Sequence, residues 1–288
     1  MANTKKHTSR NSTGSKKRGS KKMSKQRFIL SLVLLAAFAI YTLFENRKSV
    51  LTPVRIDGDT DLRLELPMLS GSEKLINYTG FTVSYNSYAK IPYWVAYELE
   101  NYETDGEYAR TGKRFRPDNS LPYPQAEDND YRNSGWARGH MAPAADFKWS
   151  DEAMSDTFYF TNCCPQNSSL NGGMWSTLEK KTRDYAVEYE RVYVVTGPII
   201  GHNKYGTIGE GEVVVPDAFF KALLVFDGRE YQSIGFVMEN CKQTGNMQSC
   251  AMSVNELEER VGFDFFTALD NSIEEKIEGG YKLSVWNL

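Results

Sequence analysis

The sequence predicts an α+β domain, in which helices pack against a mixed or antiparallel sheet, with one N-terminal transmembrane helix in front of it. Three observations lead to this prediction. Strand-like and helix-like segments interleave without a regular strand–helix–strand rhythm. The chain has 288 residues, 41% of them hydrophobic, which is enough to bury one substantial core. A charge-free apolar run of 17 residues occupies residues 28–44.

The first 27 residues form a basic, serine-rich tail that we expect to be disordered. The tail holds ten of the 34 Lys and Arg residues and none of the 37 Asp and Glu residues, so residues 28–288 carry a net charge of about -13. An acidic domain argues against a protein that coats nucleic acid by charge alone. It still allows an enzyme that binds phosphate locally through a metal ion and a few arginines.

The apolar run 28–44 has three interpretations. It is predicted to be a signal anchor, with the basic tail in the cytoplasm and the rest of the chain exported. The first alternative is a cleaved signal peptide with Ala37-Phe38-Ala39 as its cleavage motif, and the second is a mitochondrial presequence followed by an anchor. Each interpretation places the domain outside the cytosol. We expect a linker at residues 45–77 and one domain at residues 78–288.

The domain begins with two predicted strands at residues 80–86 and 91–100, and an edge strand at residues 61–67 precedes them. A long polar loop follows. Later elements are a short helix near residue 151, an amphipathic helix over residues 172–189 and a helix that begins at the capping box Ser253–Glu256. Further strands are predicted at residues 191–200, 213–226 and 231–239.

The four cysteines form two pairs along the chain. Cys241 and Cys250 flank the polar loop 242–249 and suit a disulfide outside the cytoplasm. Cys163 and Cys164 are adjacent in an apolar run, so on a strand one enters the core and the other faces the site, unless both are simply small apolar residues. The absence of a CxxC pair argues against a structural zinc site.

The main candidate for a general base at neutral pH is His140, one of three histidines in the chain. It lies in the stretch 130–147, DYRNSGWARGHMAPAADF. Arg138 supplies a permanent cation two residues earlier, and Gly139 allows close passage of the backbone. This combination favours a buried or half-buried site that handles a phosphate group.

A second polar cluster follows about thirty residues later. Asn171 offers a carbonyl oxygen of the kind that Mg²⁺ accepts, and Glu179 lies a little over two helical turns beyond it. Arg183, four residues after Glu179, is placed to pair with it and to point toward a phosphate. Asn162 and Gln166 are interpreted as amides that fix loops. The two clusters together predict a metal-dependent phosphodiesterase site.

These residues resemble the DNA/RNA non-specific endonucleases of the ββα-metal superfamily, which include endonuclease G and Serratia-type nucleases. The family signature is D-R-G-H, then N-x-x-P-Q-x-x-x-L-N, then W-x-x-L-E. The matching segments are ARGH at 137–140, NCCPQNSSLN at 162–171 and WSTLE at 175–179. The resemblance covers roughly residues 78–270, and it implies a ββα-metal motif within the α+β domain.

The resemblance also implies roles for individual residues. His140 corresponds to the general base and Asn171 to the single direct metal ligand. Glu179 corresponds to the acid that binds metal-bound water. Arg138 corresponds to a phosphate-side arginine of the motif, and Arg183 matches a basic position on the helix that carries Glu179. The family also uses an arginine of the upstream loop, for which we favour Arg114. The implied metal is Mg²⁺, with Mn²⁺ as a substitute, and the implied substrates are DNA and RNA. The apolar run 28–44 predicts the membrane as a further partner, and a second copy in a homodimer is a further expectation.

One position departs from the family signature, because Ala137 stands where the family has aspartate. The base, the metal ligand and the helix remain, so we expect an active, sugar-non-specific endonuclease that is membrane-anchored or secreted. Two alternatives stay open at this stage. The first is an anchored nucleic-acid-binding module that has lost catalysis, and the second is a phosphodiesterase on another substrate.

Overall fold

A seven-stranded antiparallel sheet forms the centre of the domain, in a computed structural model that describes residues 63–69, 71 and 73–288. Its strand order is β1-β2-β3-β6-β9-β10-β11. The strands are β1 (Leu75–Tyr78), β2 (Phe81–Asn86), β3 (Ile91–Glu100), β6 (Arg191–Ile199), β9 (Ala218–Phe226), β10 (Tyr231–Glu239) and β11 (Ala251–Met252). Two small ribbons pair β4 (Ala137–His140) with β5 (Cys163–Gln166) and β7 (Thr207–Ile208) with β8 (Val213–Val214).

The helices lie between and after these strands. They are α1 (Asp128–Tyr131), α2 (Asp151–Asp156), α3 (Ser168–Leu170), α4 (Ser176–Tyr189), α5 (Val254–Val261), α6 (Asn271–Glu278) and α7 (Leu283–Trp286). Helix α5 begins at the predicted capping box, in which Ser253 Oγ accepts the backbone N–H of Glu256 at 3.2 Å. The α+β architecture with an antiparallel sheet is therefore as predicted.

The sheet is buried on both faces, because successive side chains of its central strands enter two different cores. On β3, Val95 and Tyr97 join the larger core, which also holds Trp175 and Leu178 from the helical region after β5. Trp94 and Ala96 of the same strand join the smaller core with residues of α5 and α6. The candidate functional clusters lie on the side of the larger core.

The predicted edge strand at residues 61–67 is wrong in its described part, residues 63–67, which forms no strand. Arg63 Nε donates to Glu65 Oε1 at 2.6 Å, and the backbone N–H of Leu66 turns back to the carbonyl of Arg63. Leu64 is buried in the smaller core. The alternating polarity of this segment reflects a turn anchored by Leu64.

The predicted disulfide between Cys241 and Cys250 is also wrong, since all four cysteines are free thiols. The Cys250 sulfur lies 3.8 Å from the Met174 sulfur, and the Cys241 sulfur lies 3.8 Å from Gln243 Nε2. Cys241 and Cys250 therefore contact different residues instead of each other. Cys163 and Cys164 are both fully buried, in agreement with small apolar residues in a core.

The tail 1–27 and the apolar run 28–44 lie outside the described residues. In the described part of the chain, every helix is too short or too polar to cross a membrane.

Glu278 at the end of α6 gives a prediction about stability and pH. Its side chain is 4% exposed, and burial, together with Glu258, Glu274 and Asp264, raises its pKa from 4.5 to about 9. The folded state therefore holds a proton that the unfolded chain releases above pH 4.5, so the free energy of unfolding falls as pH rises from 4.5 toward 9. Glu278→Gln should raise the free energy of unfolding at pH 7.5 by about 2 kcal/mol and flatten this slope.

Urea unfolding between pH 5 and 9 measures both effects. The matched control is Glu275→Gln, which removes the same charge from an exposed position of α6. If the Glu278→Gln protein is no more stable than the Glu275→Gln protein at pH 7.5, the ionisation of Glu278 does not lower the free energy of unfolding.

Candidate active site

The two polar clusters of the sequence meet as one ββα unit. Strands β4 and β5 pair in antiparallel register, with His140 opposite Cys163 and Arg138 opposite Pro165. The chain then continues from β5 through α3 and a π-helical turn, Asn171–Trp175, into α4. The first cluster therefore lies on the ribbon, and Asn171, Glu179 and Arg183 lie on the helical segment that follows it.

His140 lies in an aromatic pocket at the end of β4. The ring centroids of Phe115 and Phe158 lie 4.6 Å and 5.0 Å from that of the imidazole. Nε2 is shielded from solvent and has no hydrogen-bond partner in the described protein. Burial, with a smaller contribution from the Arg110 charge, lowers the pKa of His140 to about 3. The imidazole is therefore neutral at physiological pH, which is the protonation state in which a histidine can accept a proton.

The arginines near His140 have different surroundings. Arg138 Nη2 donates to Asp128 Oδ1 at 2.7 Å, and its guanidinium lies 5.3 Å from the Tyr131 ring. Arg114 is exposed and makes no ion pair within the described part of the chain. Arg110, which sequence reasoning missed, is the cation that acts on His140. The structure therefore places Arg110 near the imidazole, where the sequence analysis favoured Arg114.

Arg116 has a structural position. Its guanidinium donates to Ser155 at 3.1 Å and 3.0 Å and lies 4.1 Å from the ring centroid of Tyr159. Lys113 pairs with Asp151 at 2.7 Å. These contacts hold the upstream loop against α2, so two of the three cations around Phe115 stabilise the loop that carries this wall of the His140 pocket.

Asn162 and Gln166 are both fully buried, but they are used differently. The Asn162 amide, just before β5, binds the backbone of Ala142, just after β4. Its Oδ1 accepts from Ala142 N, and its Nδ2 donates to Ala142 O, both at 2.9 Å. The loop-fixing interpretation is thus confirmed for Asn162. The Gln166 amide has no hydrogen-bond partner in the described residues. It packs on Gly139, where an added Cβ would lie 2.3 Å from Gln166 Oε1, so only glycine fits there.

Asn171 opens the π-helical turn. The N-cap of this helical segment is Asn167, whose Oδ1 accepts from Ser169 N and Leu170 N at 3.0 Å and 3.3 Å. Asn171 is half-buried and lies inside the helical segment. Gly173 then breaks the helical geometry with φ -111° and ψ -114°. Since Asn167 caps the helix, the Asn171 side chain remains free to act as a ligand.

Glu179 and Arg183 lie on α4 at the edge of a buried charge cluster. The predicted Glu179–Arg183 pair is replaced by an ion pair between Arg183 Nη1 and Asp146 Oδ1 at 2.6 Å. Asp146 is fully buried, and its second oxygen accepts from the Tyr97 hydroxyl at 2.8 Å. Asp146 thus outcompetes Glu179, because a rigid buried acceptor already lies beside the guanidinium.

Lys221 on β9 completes this cluster. The side chain is fully buried, and its ammonium has no hydrogen-bond partner in the described residues and lies 5.1 Å from the Trp175 ring. Burial lowers the pKa of Lys221 to about 8, while the charges of Glu179 and Asp146 oppose this effect. Burial likewise raises the pKa of Glu179 to about 7, against the nearby Lys221 charge. A lysine inside the apolar run FFKALL was the sequence signal for this residue.

The donors of this region suit a hard cation. Asn171 offers an amide oxygen and Glu179 a carboxylate, and oxygen donors are the ligands that Mg²⁺, Mn²⁺ and Ca²⁺ prefer. In the described part of the chain, no group of three or more His, Cys, Asp or Glu side chains could enclose a metal ion. A site made of one amide, one carboxylate and water fits Mg²⁺, which keeps most of its water ligands.

Comparison with known proteins agrees with this arrangement. The model of the family described as DNA/RNA non-specific endonuclease matches residues 65–272. The chain is 34% identical to the mitochondrial nuclease EXOG of Xenopus laevis over 265 residues, which cover 85% of this chain and 74% of the relative. It is 36% identical to human mitochondrial endonuclease G over 183 residues, or 60% of this chain and 62% of the relative.

A solved structure, the crystal structure of the EndoG/EndoGI complex, matches with a TM-score of 0.68 and 26% identity. The match covers 77% of this chain and 95% of that one. The family match extends over both strands of the ribbon and over α4, with His140, Asn171 and Glu179 inside it. The chain belongs to the DNA/RNA non-specific endonuclease family and is a hydrolytic nuclease.

Proposed function

We propose that the protein is a Mg²⁺-dependent, sugar-non-specific endonuclease that cleaves phosphodiester bonds in DNA and RNA. The observation that carries the proposal is the ββα unit, which puts a neutral histidine with an unused nitrogen on a ribbon and oxygen donors on the helix that follows it. The matched family and the names of the relatives support the same substrate class. Mn²⁺ is the expected substitute for Mg²⁺.

In the proposed reaction, the neutral imidazole of His140 accepts a proton from the water that attacks the phosphorus atom. Asn171 and Glu179 would hold the metal ion, which when bound would stabilise negative charge on the phosphate and on the leaving oxygen. Arg110 is the arginine whose charge reaches His140, and it is exposed, so it is available to contact the phosphate. Phe115 and Phe158 pack against the imidazole and keep it neutral by shielding part of it from water.

Arg138 and Arg183 have positioning roles in this proposal. Arg138 is held by Asp128, which fixes β4 beside α1, and Arg183 is held by Asp146, which ties α4 to the segment after His140. Arg114 remains a candidate for a phosphate contact beyond the cleaved bond. Because phosphate contacts carry no sequence information, this site should cut with little sequence preference.

The location of the enzyme is a separate part of the proposal. The mitochondrial names of several relatives favour the mitochondrial alternative, while the apolar run 28–44 favours a membrane anchor with the catalytic domain outside the cytoplasm. A homodimer is also part of the proposal.

Plasmid cleavage by the full-length chain tests the proposed function. We expect nicking of supercoiled plasmid and hydrolysis of RNA in Mg²⁺, and loss of both in EDTA. Asn171→Ala should lower the cleavage rate in Mg²⁺ about 100-fold, because it removes the direct ligand. The matched control is Asn271→Ala, which alters an exposed asparagine on α6.

Three results would contradict the proposal in different ways. Cleavage in EDTA would show that the reaction needs no metal ion. If the Asn171→Ala protein is as active as the Asn271→Ala control, Asn171 is not the metal ligand. A wild-type chain that binds plasmid without cutting it in Mg²⁺ or Mn²⁺ would favour the binding module, with Ala137 as the first residue to revert to aspartate.

A further inference from the structure

A cavity of about 370 Å³ lies directly beside the turn that carries Asn171. Ser169, Gly173, Met174 and Thr177 form its wall on the helical segment. The loop between Cys241 and Cys250 forms the other wall with Lys242, Gln243 and Met247. This polar loop, residues 242–249, has no part in the catalytic proposal, although it lines a cavity whose other wall includes Gly173 and Met174 of the turn that begins at Asn171.

The lining of the cavity combines apolar and charged groups. Met174 and Met247 are its apolar residues, and Met247 is 9% exposed. Lys242 is exposed and forms no ion pair with any described residue. Methionine side chains make favourable contacts with aromatic rings, and an exposed ammonium group can contact a phosphate, so this lining suits an aromatic base together with a phosphate.

The helical wall leaves room for a ligand to approach the backbone. A Cβ added at Gly172 or Gly173 would meet no atom within 4 Å. Gly173 has non-helical torsion angles, with φ -111° and ψ -114°. The kink therefore turns bare backbone toward open space next to Asn171, as is common where a ligand passes close to the main chain.

The loop wall is already held in place in this structure. Gln243 Nε2 donates to Glu239 O at 2.8 Å and to Cys241 O at 3.1 Å. At the other end of the loop, Asn246 Oδ1 accepts from Ser249 N at 3.0 Å. Asn240 links the base of the loop to the helical wall, since its Oδ1 accepts from Asn167 N at 2.8 Å. The cavity is thus preformed, which lowers the entropic cost of binding.

We propose that this cavity is a nucleotide subsite, in which Met174 and Met247 contact the base and Lys242 contacts the phosphate of a nucleotide next to the cleaved bond. The proposal rests on the proposed nuclease function, because its occupant is the substrate strand. Extended single strands can place a base against the methionines, whereas bases in a duplex remain stacked on each other. The subsite therefore favours single-stranded DNA or RNA over duplex.

Binding of a fluorescein-labelled single strand of about ten nucleotides tests the subsite. The full-length chain carries His140→Ala and is kept in Mg²⁺, so that the strand is bound without being cut. Adding Lys242→Ala should raise the dissociation constant about fivefold and reduce the slope of log K against log salt by about 0.7, the value for one phosphate contact on a single strand. Lys242→Arg should restore both values.

Met247→Trp tests the apolar half of the subsite. It fills the cavity, so it should raise the dissociation constant about tenfold and leave the salt slope unchanged, because no phosphate contact is lost. For Lys242→Ala, the matched control is Lys276→Ala, which also removes one positive charge, but from α6, where Lys276 pairs with Glu230. That control should bind the strand like its parent. If Met247→Trp destabilises the fold, the two Lys242 variants decide the question.

The outcomes separate the subsite from the proposed function. If the wild-type chain cleaves nucleic acid but Lys242→Ala and Lys276→Ala bind with equal affinity and equal salt slope, the subsite is overturned and the nuclease proposal stands. If the wild-type chain cleaves neither DNA nor RNA, both proposals fall. A lower affinity of the Lys242→Ala protein with an unchanged salt slope would also overturn the phosphate contact.

Discussion

Replacing His140 with alanine is expected to lower the rate of plasmid cleavage in Mg²⁺ by about 100- to 10,000-fold, the usual contribution of a general base. The imidazole is neutral, enclosed by Phe115 and Phe158, and its Nε2 is unpartnered in the described residues. No other histidine lies within the ββα unit. Initial rates on supercoiled plasmid at saturating Mg²⁺ measure the effect, and the melting temperature of the variant shows whether it has folded.

His202→Ala is the matched control, since His202 lies exposed in a loop, where its backbone N–H donates to Asp217 Oδ2. Its cleavage rate should stay within about twofold of wild type. If His140→Ala and His202→Ala cleave plasmid at equal rates, His140 is not the general base. A loss that scales with a lower melting temperature would instead assign His140 a structural role in the aromatic pocket.

The second large effect is expected on stability. Asp146→Ala should lower the free energy of unfolding by about 3–5 kcal/mol, because removing one partner of a buried pair leaves the other charge uncompensated. Asp146 is fully buried and binds Arg183 at 2.6 Å and Tyr97 at 2.8 Å. Urea unfolding at pH 7, monitored by tryptophan fluorescence, measures the change.

Asp151→Ala provides the comparison for Asp146→Ala. Asp151 also forms an ion pair, with Lys113 at 2.7 Å, but its own side chain is 67% exposed. Its removal should cost less than about 1 kcal/mol. The double variant Asp146→Ala/Arg183→Met should recover part of the loss, because both charges are then absent. If the double variant is less stable than Asp146→Ala alone, the unpaired Arg183 charge does not explain the loss.

Much of the sheet could be predicted from local patterns. The apolar run 231–239 forms β10 with those bounds, and residues 91–100 form β3. The capping box at Ser253 begins α5 as predicted. These elements are determined by side chains close to one another in sequence, such as alternating apolar residues and a serine three residues before a glutamate.

The errors concern contacts between distant residues. Arg183 was expected to pair with Glu179 one helical turn away, but Asp146, 37 positions earlier, holds it. Cys250 was expected to bond Cys241, but its sulfur lies against Met174, 76 positions away. Arg110 lies with its guanidinium 5.9 Å from the Phe158 ring and acts on His140, and no periodicity in the sequence indicates that contact. Such partners depend on tertiary packing, which spacing along one segment does not determine.

Asn240 at the end of β10 has a consequence for how the molecule opens. Its side chain is 1% exposed and joins three segments, through bonds to Asn167 N, Pro165 O and Pro216 O. The ribbon strand β5, the helix cap and the central sheet therefore share a single side chain. Local fraying of the β10 end should release all three contacts at once, so we expect amide hydrogens around the catalytic ribbon and those at this end of the sheet to exchange as one cooperative unit.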